Sequence, residues 1–251
     1  MKLYKYRDFS DSAETALERL FHILRSNTFW CAKPDALNDP MEFVWECDYQ
    51  PSGETVSLLS EVLIKAQGKT SIEAHSKAMA AVMNRRLEAL AKPEFEEMIK
   101  RCRQEIGLAC FSTSNQNAVM WQRYGGGGNG VCVEIDVPDC LLNKQLSKVE
   151  YPEKKVLSVD QLLSAFLGDQ TLVRIVYSVA LLSKPSCWAP EEEIRFVSKK
   201  QDVSVCIVDS QISSITLGSG LDPEVRQKIQ AFVQSLPNYL TVLSYEPFRT
   251  A

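Results

Sequence analysis

Apolar positions along this chain follow two periods, and the switches between them outline the elements. Leu3-Tyr4-Lys5-Tyr6-Arg7 alternates β-favouring and basic residues, which predicts a first strand ending at Arg7 near a sheet edge. The period then lengthens: Ala13, Leu17, Leu20, Phe21 and Leu24 recur at helical spacing, behind Asp11 and Glu14 in a capping-box pattern. His22 falls beside that stripe and reads as a packed or surface histidine. Thr28 to Cys31 reads as a short buried strand, and Leu37-Asn38-Asp39-Pro40 as a rigid turn. From about residue 54 to residue 106 the spacing is helical throughout, with Gly68 and Pro93 separating three segments. This block sits between strand-rich regions and is expected to be a helical insertion or cap.

Strand character returns at Leu108 and ends in Ser112-Thr113-Ser114; Ser112 and Ser114 share a face. Asn117 is placed to cap a helix containing Val119, Met120 and Tyr124. The run Gly125 to Gly128, with Asn129 and Gly130, follows that helix instead of opening one and lacks the Lys-Ser/Thr of a P-loop. It reads as a flexible connection to the strand Val131 to Ile135. Beyond it the pattern predicts a strand at Val149 to Tyr151 and one long helix over 159–182. Strands follow at Ile194 to Ser198, Val203 to Val208 and Ile212 to Leu217, then a helix opened by Asp222-Pro223 and a last strand at Leu240 to Tyr245. No repeat or disordered linker is evident, so the expectation is a single α+β domain over residues 1–251, a mixed sheet with 54–106 inserted.

Composition narrows the function classes. With 45% hydrophobic and 24% charged residues the chain is ordinarily globular, and a net charge of -4 argues against a broad basic surface for nucleic acid. The eight cysteines are scattered without a Cys-x-x-Cys pair and there are only two histidines, which indicates neither a zinc site nor a redox motif. A reduced, cytoplasmic protein is the simplest reading. Charges at Lys2, Lys5 and Arg7 occupy the place of a signal peptide's apolar run, and the apolar region Leu172 to Leu182 is broken by Arg174 and too short to span a bilayer.

The densest chemistry lies in Trp188-Ala-Pro-Glu191-Glu192-Glu193-Ile-Arg195-Phe-Val197. Glu191 and Glu193 are two apart at a strand entrance and are expected on one side, where carboxylates can position a sugar and stabilise positive charge. Arg195 shares that spacing, so a purely structural ion pair with Glu193 would produce the same pattern. A solvated acidic turn would also produce the glutamate run.

Most of the chain resembles a bacterial domain-of-unknown-function family, some of whose members are associated with phage defence. The carriers are Leu3-Tyr4-Lys5-Tyr6-Arg7, Asn38-Asp39-Pro40-Met41-Glu42, Cys110-Phe111-Ser112, Met120-Trp121 with Tyr124, Gly130 to Glu134, and Lys184 with Trp188, Glu191, Glu193 and Arg195. The Gly125 to Gly128 run departs from the polar residues usual before Gly130 in that family. The order Tyr6-Arg7, Ser112-Thr113-Ser114, Glu191-Glu192-Glu193 is also similar to the Arg-Ser-Glu class of ADP-ribosyltransferases, although the helical block between Arg7 and Ser112 and the helix before Glu191 depart from that class's compact spacing.

This second resemblance implies an NAD-using transferase, toxin-like or defensive, with NAD as substrate and a macromolecular acceptor. Glu193 would stabilise the developing oxocarbenium charge and Glu191 would orient the acceptor. Arg7 would hold pyrophosphate, Ser112 and Ser114 the sugar, and Tyr6 or Trp188 would stack on a ring. The competing expectation is a non-enzymatic module sensing a nucleotide or phage product. A metal-dependent nuclease built on Asp39, Glu42 and Glu193 is a third.

Overall fold

In the computed structural model, which describes residues 1–9, 12–41, 43–237 and 240–245, the strands and helices follow one another along the chain as follows. The first part holds β1 (Lys2–Arg7), α1 (Ala13–Ser26), β2 (Thr28–Cys31), β3 (Glu46–Asp48), α2 (Thr55–Gln67), α3 (Ser71–Met83) and α4 (Leu87–Glu105). Then come β4 (Gly107–Ser112), α5 (Ala118–Tyr124), β5 (Val131–Asp136), β6 (Leu146–Lys148), β7 (Val156–Ser158), α6 (Val159–Leu167) and α7 (Gln170–Leu181). The chain closes with β8 (Glu193–Ser198), β9 (Val203–Cys206), β10 (Gln211–Leu217), α8 (Pro223–Gln234) and β11 (Thr241–Ser244). The expected cap residue Asp11 and the motif residue Glu42 lie outside the described residues. The elements divide between two units: residues 1–33, 107–149 and 187–251, and residues 34–106 and 150–186.

The first unit is α+β, built on a seven-stranded mixed sheet in the order β11-β10-β5-β1-β4-β8-β6. Only β10 and β11 run parallel; the other pairs are antiparallel. Because side chains alternate across a strand, the sheet has two chemically different faces. Leu3, Ala109, Phe111, Val131, Val133, Ile135, Ile194, Ile215 and Leu217 point to one face. There they bury the stripes Leu17, Leu20, Ile23 and Leu24 of α1 and Val225, Ile229 and Val233 of α8. Each such aliphatic side chain contributes roughly 1.5–3 kcal/mol when fully buried, so this layer dominates the unit's stability. The opposite face carries Tyr4, Tyr6 and Cys132 against Met120 and Trp121 of α5 and Tyr245. Its β8 end is polar, with Ser112, Glu193 and Arg195 all buried.

Local chemistry sets the element ends. Helix α1 stops where Asn27 turns left-handed (φ 50°) and its N–H bonds the Ile23 carbonyl. Asn117 caps α5 by accepting from the Met120 N–H, and Asp222 caps α8 ahead of Pro223. The glycine run, expected to be a flexible connection, is a packed turn. Gly126 and Gly127 have φ of 58° and 62°, and a Cβ on Gly130 would lie 2.1 Å from the Arg7 carbonyl oxygen.

The second unit is helical, with a small parallel ribbon of β3 and β7. Leu59, Val62 and Leu63 of α2, Ala74 and Ala78 of α3, Phe95 of α4, and Leu162 and Leu163 of α6 form its core. The expected insertion 54–106 lies within this unit, which also takes in residues 34–53 and 150–186. Three local expectations are corrected. The helix expected over 159–182 is two helices, broken at Gly168 (φ 105°), with Asp169 capping α7 through the Thr171 and Leu172 N–H groups. Pro93 sits inside α4, and the break before that helix falls at Asn84 to Arg86, where Arg85 has a φ of 55°. The strand expected at Val149 to Tyr151 is an isolated bridge of Glu150 with Ser183, and the paired strand is β6. Among the described residues no helix is long and apolar enough to cross a membrane.

Candidate functional site

The entrance of β8 is where the sequence concentrates its acids, and register determines what they meet. Ser112 on β4 lies opposite Tyr4 on β1 and Glu193 on β8, so these three side chains share the face covered by α5. Glu193 and Arg195, two apart on one strand, form a buried ion pair. Nε of the arginine reaches Oε1 at 2.7 Å and Nη2 reaches Oε2 at 3.3 Å. Arg195 is 0% exposed and Glu193 5%. Opposite Arg195 in register, the Cys110 thiol is pushed up to about 12, first by burial and then by the Glu193 charge.

Glu191 reaches the same region by a different route from the one expected. Residues Ser186–Glu191 form a 3₁₀ turn and Glu192 has a φ of 47°, so the strand pleat begins only at Glu193. The buried Glu191 Oε1 accepts from the Tyr124 hydroxyl at 2.8 Å and from Arg123 Nη1 at 3.1 Å, both on α5. The Arg123 guanidinium lies 4.5 Å from the centre of the Trp188 ring, and Asn117 Nδ2 donates to the Pro190 carbonyl at 2.5 Å. Ser112 Oγ donates to the Glu191 carbonyl at 3.0 Å. Ser114 Oγ accepts from the Gln116 N–H, while its carbonyl accepts from the Tyr6 hydroxyl at 2.7 Å. Tyr6 is buried edge-on to Trp121, ring centres 5.3 Å apart, and burial raises its phenol. Tyr6, Ser112, Ser114, Trp188, Glu191 and Glu193 are thus brought into one network whose contacts fasten α5 and the 3₁₀ turn to the sheet.

Arg7 does not join them. It has the strand parity of Leu3 and Lys5, the opposite parity to Tyr4, and so points to the face covered by α1. Arg7, Ser112 and Glu193, which the transferase resemblance would use on one ligand, therefore do not share a face: the residue difference between Tyr4 and Arg7 is odd, and an odd step changes faces.

Arg7 instead lines a cavity of about 560 Å³ whose walls come from α1 and from the β2–β9 ribbon. On β2, Phe29 and Cys31 are fully buried, which turns Thr28 and Trp30 outward; Trp30 is 47% exposed, and the register places Ser204 directly opposite it. On α1, Glu18, Arg19 and His22 flank the apolar stripe and face the same cavity. His22 Nε2 lies 3.3 Å from Thr28 Oγ1. The Arg7 Nε is buried, and among the described residues no acceptor reaches it. Burial and the neighbouring Arg19 charge both lower the Arg7 pKa from its ordinary value. Lys5, on the same face, donates to the Cys110 carbonyl at 2.7 Å; burial, then Arg7, lowers its pKa to about 8. The chemistry on offer is a concave site with guanidinium donors at its base and an indole at its wall.

Sequence reasoning did not single out Glu18, Arg19, Thr28, Trp30 or Ser204. The available signal was the alternation Thr28-Phe29-Trp30-Cys31, which sends Trp30 away from the core that Phe29 enters. The helical unit has its own open cavity of about 850 Å³, where Phe43, Trp45 and Tyr49 face Lys92, Glu96 and Lys100 of α4. Among the described residues no group of three or more His, Cys, Asp or Glu side chains is placed to hold a metal ion. Comparison of the chain with protein-family models, with curated proteins and with solved structures finds no match.

Proposed function

We propose that this protein recognises a phosphorylated small molecule, a nucleotide in the broad sense, in the cavity floored by Arg7. The observation that carries this reading is the buried Arg7 Nε without an acceptor, in a cavity it shares with Arg19. A buried charged donor left unsatisfied costs about 1–3 kcal/mol or more, and two guanidiniums side by side add like-charge repulsion. A phosphate supplies both the missing acceptor and the compensating charge, through the planar donor geometry that makes arginine suited to it.

Recognition is favoured over transfer by the way the acids are used. Transfer of ADP-ribose from NAD to a macromolecular acceptor, in the form the Arg-Ser-Glu resemblance implies, needs Arg7 and Glu193 on the same ligand. Glu193 lies on the other side of the sheet, paired with Arg195. On this reading Glu193, Arg195 and Glu191 maintain the fold and Arg7 carries the function.

Isothermal titration at low ionic strength with nucleoside monophosphates, NAD and pyrophosphate tests the reading. Binding to the wild type is expected to weaken at least tenfold in Arg19→Ala, whose exposed position leaves folding intact, and to be lost in Arg7→Met. NAD is expected to be recovered unchanged. Wild-type protein that binds none of these compounds, or variants that bind them as the wild type does, would overturn the proposal.

A further inference from the structure

We infer that the ligand of the Arg7 cavity is a nucleoside phosphate, with its base on Trp30 and its ribose hydroxyls on Glu18; this rests on the phosphate reading above. Trp30 is 47% exposed between two fully buried neighbours, and among the described residues neither an aromatic ring nor a cation packs on its ring. A large flat apolar surface held on a paired strand at the edge of a cavity is a preformed stacking platform, and any nucleobase presents the matching face.

Glu18 supplies the second observation. Glu18 lines the cavity together with Arg7 and Arg19, yet among the described residues it forms an ion pair with neither. A bare phosphate gains nothing from a carboxylate and is repelled by it. A ribose gains an acceptor for its hydroxyls, the use to which an acidic residue is put in dinucleotide sites. The hydroxyls of Thr28 and Ser204 flank Trp30 and can read the base edge. The cavity, about 560 Å³, is far larger than one phosphate and falls in the range that holds a whole small ligand.

The test is titration calorimetry of the wild type, Trp30→Ala and Glu18→Ala with AMP, its 2′,3′-dideoxy analogue, UMP, ribose 5-phosphate and inorganic phosphate, each variant first checked by circular dichroism. The wild type is expected to bind AMP and UMP at least tenfold more tightly than ribose 5-phosphate. Trp30→Ala is expected to weaken AMP about tenfold while leaving ribose 5-phosphate unchanged, because stacking is lost and the phosphate contacts remain. Glu18→Ala, which removes the acceptor, is expected to abolish the preference for AMP over its 2′,3′-dideoxy analogue, and an unchanged preference would remove Glu18 from the ribose contact. If ribose 5-phosphate binds as tightly as AMP, or Trp30→Ala weakens both equally or neither, the nucleoside assignment is wrong while the phosphate reading stands. If the wild type binds no phosphate compound, both fail.

Discussion

Removing Arg195 separates a structural Glu193 from a catalytic one. Arg195 is wholly buried, and its guanidinium makes the 2.7 Å and 3.3 Å contacts to a carboxylate that is 5% exposed. Arg195→Met keeps most of the volume but leaves Glu193 buried beside Cys110 without that counter-charge. Breaking a buried pair from one side costs about 3–5 kcal/mol; further neighbours of both side chains place the expectation at the lower end. Replacing both together, as Glu193→Leu with Arg195→Met, removes the stranded charge and is expected to cost far less than the two single changes summed. The coupling in such a cycle should reach about 2 kcal/mol or more. Urea unfolding followed by tryptophan fluorescence measures it. In a Trp45→Phe background the remaining tryptophans, Trp30, Trp121 and Trp188, all belong to the sheet-containing unit and report its transition separately. An Arg195→Met protein within about 0.5 kcal/mol of the parent, the range of an ordinary surface substitution, would refute the structural assignment of the pair.

Other expectations follow from the same geometry. Lys5 has a folded pKa of about 8, below its ordinary 10.5, so the unfolded chain holds the extra proton between those values. Its contribution is therefore fully present above 10.5 and lost as pH falls through about 8; the stability of the wild type relative to Lys5→Met should rise over that window, and a flat difference by chemical denaturation would contradict the burial of Lys5. Gly130→Ala is expected to destabilise by on the order of 2–4 kcal/mol, because its Cβ would sit 2.1 Å from the Arg7 carbonyl oxygen and 3.0 Å from that of Gly125, both backbone atoms. Thermal unfolding would show this, and an unchanged midpoint would refute the packed-turn description. Asn117→Ala removes the α5 cap and the bond to Pro190, and should cost about 1 kcal/mol by the same assay; no loss would mean neither bond contributes.

Periodicity made most of the first unit legible. The strand starting near Leu3, the α1 stripe, the Asn117 cap and the strand after Gly130 all follow from local patterns that tertiary packing reinforces. The division of the helical segments was less legible, because Pro93 is accommodated inside α4 whereas Asn84 to Arg86 ends α3 with no Gly or Pro. The long helix over 159–182 failed for a related reason: one residue, Gly168, outweighs an otherwise continuous apolar pattern.

The site was half legible. Spacing within one strand did place Glu193 beside Arg195, since a two-residue step fixes their common side. Between strands, motif order carries no information on face: Arg7 and Ser112 lie on adjacent strands, yet pairing of Tyr4 with Ser112 turns Arg7 the other way. The Trp30 wall was hidden because a strand with an exposed aromatic resembles a buried one when read by composition alone.

The most direct test of the central claim is a crystal structure of the protein with AMP. The account expects a phosphate oxygen within hydrogen-bond reach of the Arg7 Nε, about 2.7–3.2 Å, with the Arg19 guanidinium alongside and the Trp30 indole stacked on the base. AMP seated at the β8 entrance against Glu191 or Glu193, with the Arg7 Nε still lacking an acceptor, would contradict it.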